Sequence, residues 1–474
     1  MKGAAPGQPA GDRGQPDMMP DLLRRNPRNP RYFADGSGRA VYLTGSHTWA
    51  VMHDIWLEGS PQRSMDYAGF LAMMQDCGHN FMRFWSGWIH PRGAPWTDRV
   101  PLFHPQPFAR TGPGLAHDGL PRYDLARPNP EYFSRLRERL QQAGTAGIYA
   151  AVMLFEAWSI KWARPGNDPW PDHPLHPDNN INGVTDDPVT ANGRAWDLFA
   201  LRCPQLLHWQ EQHVRRVLDA VADLDNVLFE VCNEVPHRPE ALAWQEHICR
   251  FVQDQERGGP RRHPVGITAE GGDEDNAELF ATSADWISPS NGRCFEYRYN
   301  PPAAQGPQVV VTDTDHLWGH GAELAWIWKS FTRGLNVLFM DPWEPVPDDM
   351  PGWVQGGLSL NRRHYHLWDA VRRNLGYARR LALRLDLNAC VPHGELCTSG
   401  YCLADPGSEY ACYFPAGGHE GLDLWAAPGR FAVEWLHPET GAIHPGRSIE
   451  GGRRQALGAP FPGPALLYLK RQDG

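Results

Sequence analysis

Unbroken apolar runs alternate along most of this chain with segments whose apolar positions recur every three to four residues. I-Y-A-A-V-M-L-F-E (148–156), N-V-L-F-E-V-C-N-E-V-P (226–236), P-V-G-I-T (264–268), Q-V-V-V-T-D (308–313) and N-V-L-F-M-D (336–341) are runs of the first kind. They read as strands apolar on both faces, as in a parallel sheet covered on each side. Ala40–Gly45, Asn80–Trp85 and residues 284–289 complete a set of eight. Helical spacing falls between them, over Asp66–Cys77 with Gly78 as C-cap, Glu131–Ala143, Pro204–Ala222, Glu240–Gln255, Ala322–Thr332 and His364–Leu385. Long Pro-, Gly- and Trp-rich loops are expected after the second and third strands. Eight alternating units predict a (β/α)8 TIM barrel, with units five and six the weakest. No Gly-rich turn follows the first strand, which speaks against a dinucleotide-binding fold.

From about Val391 the pattern changes to short strands separated by Gly, Pro and Asp turns: Y-C-L-A, E-Y-A-C-Y-F-P, L-D-L-W, F-A-V-E-W-L and A-L-L-Y-L-K. These predict a small antiparallel β-sandwich. The expected organisation is an unstructured segment over 1–28, a barrel over 29–388 and the sandwich over 389–474.

The composition agrees with a large core, at 41% hydrophobic in 474 residues. A net charge of −10 with no basic block makes nucleic acid and anionic membrane poor partners. No apolar run is long enough to span a bilayer, and no apolar segment follows Met1, so a cytoplasmic location is expected unless the true start lies upstream with a secretory signal. The nine cysteines contain no C-x-x-C and are read as mostly free thiols. The 20 tryptophans stand out, many in polar loops where flat aromatic faces make binding surfaces.

In a barrel the chemistry sits at the C-terminal ends of the strands. There the chain offers His47 and Trp49, Arg83, Trp85 and Trp88, Glu156 and Trp158, Asn233 and Glu234, Asp313, Asp315 and His316, and Trp343. Carboxylates, amides and indoles on one rim suit a sugar. Glycoside hydrolysis needs two carboxyl groups flanking the scissile bond, about 5–5.5 Å apart for retention and about 6.5–9.5 Å for inversion. Glu234 is the first candidate. No metal or organic cofactor is expected; His316 and His320 lack the Glu of a zincin pattern. The expected partner is an oligo- or polysaccharide, and no oligomeric state is read from the sequence.

Asn233-Glu234 closing the fourth strand resembles the clan of (β/α)8 retaining glycoside hydrolases that includes cellulases and β-galactosidases. F-A-D-G-S-G-R-A-V-Y-L-T-G-S-H-T-W near the start, with Y-C-L-A-D-P-G-S-E-Y-A-C-Y-F-P and V-E-W-L-H-P-E-T-G near the end, is similar to the apiosidase-like, cellulase-related bacterial barrels. Those carry a C-terminal β-sandwich described as collagen-binding. The resemblance implies that Glu234 is the acid/base, that Arg83 orients the nucleophile and that Trp343 is a floor under the sugar. The clan's nucleophile is a Glu ending strand seven. This chain has T-D-T-D-H there, leaving Asp315 nearest the position and Asp313 two residues earlier. Such a replacement is compatible with retention, with inversion, or with a non-catalytic carbohydrate-binding barrel; a matrix- or collagen-binding protein is a further alternative.

Overall fold

The computed structural model describes residues 20–95, 99–188, 195–268, 276–290, 296–319, 321–343, 354–355, 358–359 and 368–472. Eight parallel strands form one sheet: β1 (Thr44–His47), β2 (Phe81–Phe84), β3 (Tyr149–Glu156), β4 (Val227–Asn233), β5 (Val265–Thr268), β6 (Trp286–Ser288), β7 (Val309–Asp313) and β8 (Asn336–Met340). From β2 to β8 each pairs with the next in chain order, and β8 pairs with β1, Met340 lying opposite His47. Between β1 and β2 the Asn80 backbone N–H donates to Thr44 O at 2.9 Å, bringing the barrel near closure. The first strand differs from expectation. Ala40–Val41 belongs to a three-stranded antiparallel sheet with Arg24–Arg25 and Phe33–Ala34, and the barrel strand begins only at Thr44.

That small sheet also corrects the unstructured segment expected through residue 28. Leu23 and Phe33 are fully buried in one cluster with Leu43, Phe81, Leu228, Trp286 and Leu338. Apolar side chains therefore close the N-terminal end of the barrel. Residues 1–19 lie outside the described part of the chain.

Helices α1 (Tyr67–Cys77), α2 (Pro130–Thr145), α3 (Pro204–Val221), α4 (Pro239–Gln255), α5 (Leu324–Thr332) and α6 (Asp369–Ala382) cover the outside. Local signals set their ends. Asp66 caps α1 through Gly69 N at 2.9 Å, and Gly78 ends it at φ 76°. Asn129 caps α2, where Pro130 takes the first turn. Among the described residues, units five and six carry one-turn helices, Ala277–Phe280 and Glu296–Tyr299. The segment after β2 is not the plain loop expected. Pro101–His104 pairs with Asp54–Leu57, and Phe108–Leu115 pairs with Pro121–Pro128 as a hairpin.

The C-terminal strands are antiparallel: β9 (Cys402–Asp405), β10 (Glu409–Phe414), β11 (His419–Asp423), β12 (Arg430–Leu436), β13 (Arg454–Gly458) and β14 (Ala465–Arg471). A seven-stranded sheet holds β9, β10, β14 and β12, while β11 pairs with β13. Alternation along the larger sheet explains its two buried faces. Cys402, Cys412, Phe414 and Leu467 face Leu422 and Leu457 in the sandwich core. Leu403, Ala411, Tyr413, Leu466 and Tyr468 join the main core on the other side. All eight described cysteines are free; Cys402 and Cys412 lie opposite each other with their sulfurs 3.4 Å apart. Among the described residues no helix is long and apolar enough to cross a membrane.

Candidate active site

Strand alternation carries polar side chains into the top of the barrel. Val309 and Val311 fill the interior, and Asp313, two residues on, reaches the same side near the rim. Leu228 and Glu230 do the same on β4, and Phe81 and Arg83 on β2. Arg83 is fully buried at the centre, and all five of its N–H donors are engaged. Nε and Nη2 grip the Glu230 carboxylate at 2.8 and 2.5 Å. Nη1 donates to Asp313 Oδ2 at 2.9 Å and Asp315 Oδ2 at 2.8 Å. Nη2 also donates to Asn233 Oδ1 at 2.6 Å, which aims the Asn233 amide nitrogen away from the arginine.

His47 is held between two partners. Trp85 Nε1–H donates to its Nδ1 at 2.8 Å, so the proton sits on Nε2, which donates to Asp313 Oδ1 at 2.9 Å. Asp313 also accepts the Asp315 backbone N–H at 3.0 Å, capping the one-turn helix Thr314–Leu317. Burial alone would raise the Asp313 carboxyl, but His47 and Arg83 outweigh it and hold the group well below the usual carboxylate range. Asp313 is thus a buried, saturated anion. His316 is equally buried, with Ser288 Oγ at 2.8 Å from its Nδ1, and burial followed by the Arg83 charge pushes it down to about 3.

Asp315 and Glu234 sit differently. Both line a cavity of about 100 Å³ together with Trp49, Trp85, Trp88, Glu156, Trp158, Asn233 and Gly319. One oxygen of Glu234, one of Asp315 and a ring nitrogen of His316 all lie within 4.8 Å of one another. Burial and the neighbouring Asp315 carboxylate push Glu234 well above the usual carboxylate range, against the opposing charges of Lys161 and Arg83. Asp315 is also raised, by burial and then by Asp313, but it has the Arg83 hydrogen bond that Glu234 lacks. Of the two, Glu234 therefore keeps the proton and Asp315 the negative charge. Glu234 is also the one non-glycine among the described residues with positive φ, at 47°. A Glu in the left-handed region is strained, and such strain concentrates where a side chain must point in one direction. Glu156 is pushed up to about 8 by burial, although Ser159 N donates to it at 3.1 Å.

Of the residues singled out in the sequence, Trp49, Trp85, Trp88, Glu156, Trp158, Asn233, Glu234 and Asp315 converge on this cavity. His47, Arg83, Asp313 and His316 form the layer beneath it. Trp343 is placed elsewhere: its ring packs against Phe70 of α1, 5.9 Å between centroids, and it is not among the described residues that line the cavity. Just after β8, Asp341 is gripped by Arg372 of α6, Nε to Oδ2 at 2.8 Å. His320 lies outside the described residues. Sequence reading missed Glu230, the second anchor of Arg83. A lone Glu inside an apolar strand, in phase with the inward-facing Leu228, is the signal that marks it.

A family described as Domain of unknown function (DUF6298) matches residues 94–258. No curated protein matches the chain in sequence. Among solved structures it is similar to one titled Glycoside hydrolase, at 10% identity and TM-score 0.60, over 96% of this chain and 98% of that one. It is also similar to a glycoside hydrolase family 5 protein from Bacteroides vulgatus, at 12% identity and TM-score 0.62, over 95% of this chain and 93% of that one. The chain thus shares, almost end to end, the barrel-plus-sandwich fold of glycoside hydrolase family 5-like proteins.

Proposed function

We propose that this chain is a glycoside hydrolase acting on O-glycosidic bonds, with Glu234 as general acid/base and Asp315 as nucleophile. The observation that carries the reading is the pair of carboxyl oxygens, from Glu234 and Asp315, within 4.8 Å across a cavity walled by four tryptophans. That spacing suits retention, for which the carboxyl groups stand about 5–5.5 Å apart, and leaves little room for the extra water of inversion. In the first step Glu234 gives its proton to the leaving oxygen as Asp315 attacks the anomeric carbon, forming a glycosyl ester. In the second, Glu234 takes a proton from the incoming water and the ester is hydrolysed. Arg83 positions Asp315 through Nη1, and the Asn233 amide is placed to donate to a sugar hydroxyl. The indole faces pack against the C–H faces of the ring. Asp315 is favoured over Asp313 as second carboxylate because Asp313 has both oxygens engaged and does not line the cavity.

The test is hydrolysis of a panel of neutral oligosaccharides and aryl glycosides by the parent, Glu234→Gln and Asp315→Asn, with the anomer of the first product followed by NMR. Losing the acid or the nucleophile should lower kcat by about 10²–10⁴ or more, and the parent should release the retained anomer. Parent-like turnover in either variant would overturn the assignment. Glycan binding by the parent with no hydrolysis anywhere on the panel would favour the binding-only barrel.

A further inference from the structure

A second cluster of metal-ligating side chains lies away from the cavity, where two loops of the barrel's C-terminal face meet. His117 sits in the turn of the hairpin that follows β2, between Phe108–Leu115 and Pro121–Pro128. His176 and Asp178 belong to the loop after β3, at the 3-10 turn Pro177–Asn179. One donor atom from each lies within 4.8 Å of the other two. Two imidazoles and one carboxylate are the donors that zinc-type ions select.

The hydrogen bonds around His117 fix which ring nitrogen is available as a donor to a cation. Its Nδ1 lies 2.5 Å from Pro171 O, so Nδ1 carries the proton and Nε2 presents its lone pair. That lone pair faces Asp178 Oδ2 at 3.6 Å, two acceptors opposed at more than hydrogen-bond distance. The Asn179 side chain fixes the same site from behind, accepting from His117 N at 3.0 Å and donating to Pro171 O at 2.7 Å. Arg110 of the hairpin is committed elsewhere, paired with Asp118. His176 Nδ1 accepts the Asp178 backbone N–H at 3.2 Å.

We propose that His117, His176 and Asp178 bind one zinc-type divalent ion, with water completing the shell, and that the ion staples the hairpin after β2 to the loop after β3. The role is structural. The same loop begins at Trp158, a wall of the cavity, so the ion would brace that wall. Nothing in the site depends on which reaction the cavity performs.

The full chain, stripped with a chelator and dialysed, is titrated with Zn²⁺ by calorimetry, beside His117→Ala and Asp178→Asn. The parent should take up one equivalent that each variant binds at least about tenfold more weakly. Zinc should raise the thermal midpoint of the stripped parent and leave that of the variants in place. Asp178 is 65% exposed, so its conservative replacement keeps the fold even where His117→Ala does not. Trp170 provides an independent signal, its ring lying 5.4 Å from that of His176: Co²⁺ should quench its emission in the parent and not in Asp178→Asn. Equal zinc uptake by parent and both variants, or none by the parent, would overturn the proposal.

Discussion

Glu234 combines three properties that seldom coincide by accident: a left-handed backbone, near-complete burial and a raised carboxyl pKa. Each is a cost to folding and, in the proposed hydrolase, a gain to an acid that holds its proton beside Asp315. Glu234→Gly should therefore abolish hydrolysis while stabilising the protein by about 1–3 kcal/mol, the strain that a non-glycine residue stores there. Because Glu234 borders a cavity, its removal leaves no new hole in the core. A thermal midpoint equal to or below that of the parent would show that the strain is compensated locally. Much of this site is legible in the sequence, because polar residues that end apolar strands must gather on one rim. What stays hidden is the division of labour. The resemblance favours Asp315 over Asp313 in T-D-T-D-H, but only the backbone turn after Asp313 sends one carboxylate to His47 and the other to the cavity. Trp343 shows the opposite failure: its place after β8 matches a sugar floor, but its ring turns to Phe70.

At the scale of elements, glycines decide how closely neighbours approach. Gly376 in α6 lies against the C-terminal end of α1, where an added Cβ would stand 1.7 Å from Cys77 O. Inside the barrel, a Cβ on Gly266 of β5 would meet the Trp286 ring at 1.9 Å. The Trp286 indole spans the space that this glycine leaves and donates to Phe229 O at 3.1 Å. Neither contact involves a flexible side-chain tip, so neither is relieved by a rotamer change. Gly376→Ala and Gly266→Ala should each cost about 1–3 kcal/mol through overpacking, read as a lower urea midpoint at unchanged m-value. A loss below a few tenths of a kcal/mol would mean that the helix or ring can shift freely. The same short-range logic explains which elements could be read in advance. The helices with Asp, Asn or Pro at the start and the strands with unbroken apolar runs stand out from their own residues. The hairpins after β2 do not, since Phe108–Leu115 is interrupted by Gly and Pro and is held by its partner strand. The first barrel strand is displaced for a related reason: A-V-Y-L-T-G is continuous in sequence, but its first half pairs with Phe33–Ala34.

At the scale of the whole molecule, buried histidines set the response to acid. His79 and His90 are pushed down to about 4 and His213 to about 3, in each case chiefly by burial, and His53 and His173 are lowered in the same direction. In the unfolded chain these groups titrate near about 6.5. Between about 6.5 and 4 the unfolded state therefore binds more protons than the folded one, and by linkage stability falls as the pH falls through that window. Raised carboxyls act in the opposite sense. Glu156, pushed up to about 8, and Glu234, also raised, hold protons in the folded state that the unfolded chain releases, so their contribution grows as the pH falls from about 8 toward the ordinary carboxylate value of about 4.3. With His176 and His316, also lowered, seven histidines oppose five raised carboxyls, Asp168, Asp172 and Asp315 being the others. The urea midpoint should be highest near neutrality and should decline from pH 6.5 to pH 4, with proton uptake on unfolding measured over the same range. Double replacement of His53 and His213, which both pack against the Tyr132 ring, by Gln or Asn should flatten that decline while leaving the midpoint at pH 8 less affected. A midpoint that rises steadily from pH 7 to pH 5 would instead mean that the barrel-rim carboxyls, and not the histidines packed behind the sheet, govern how this protein meets acid.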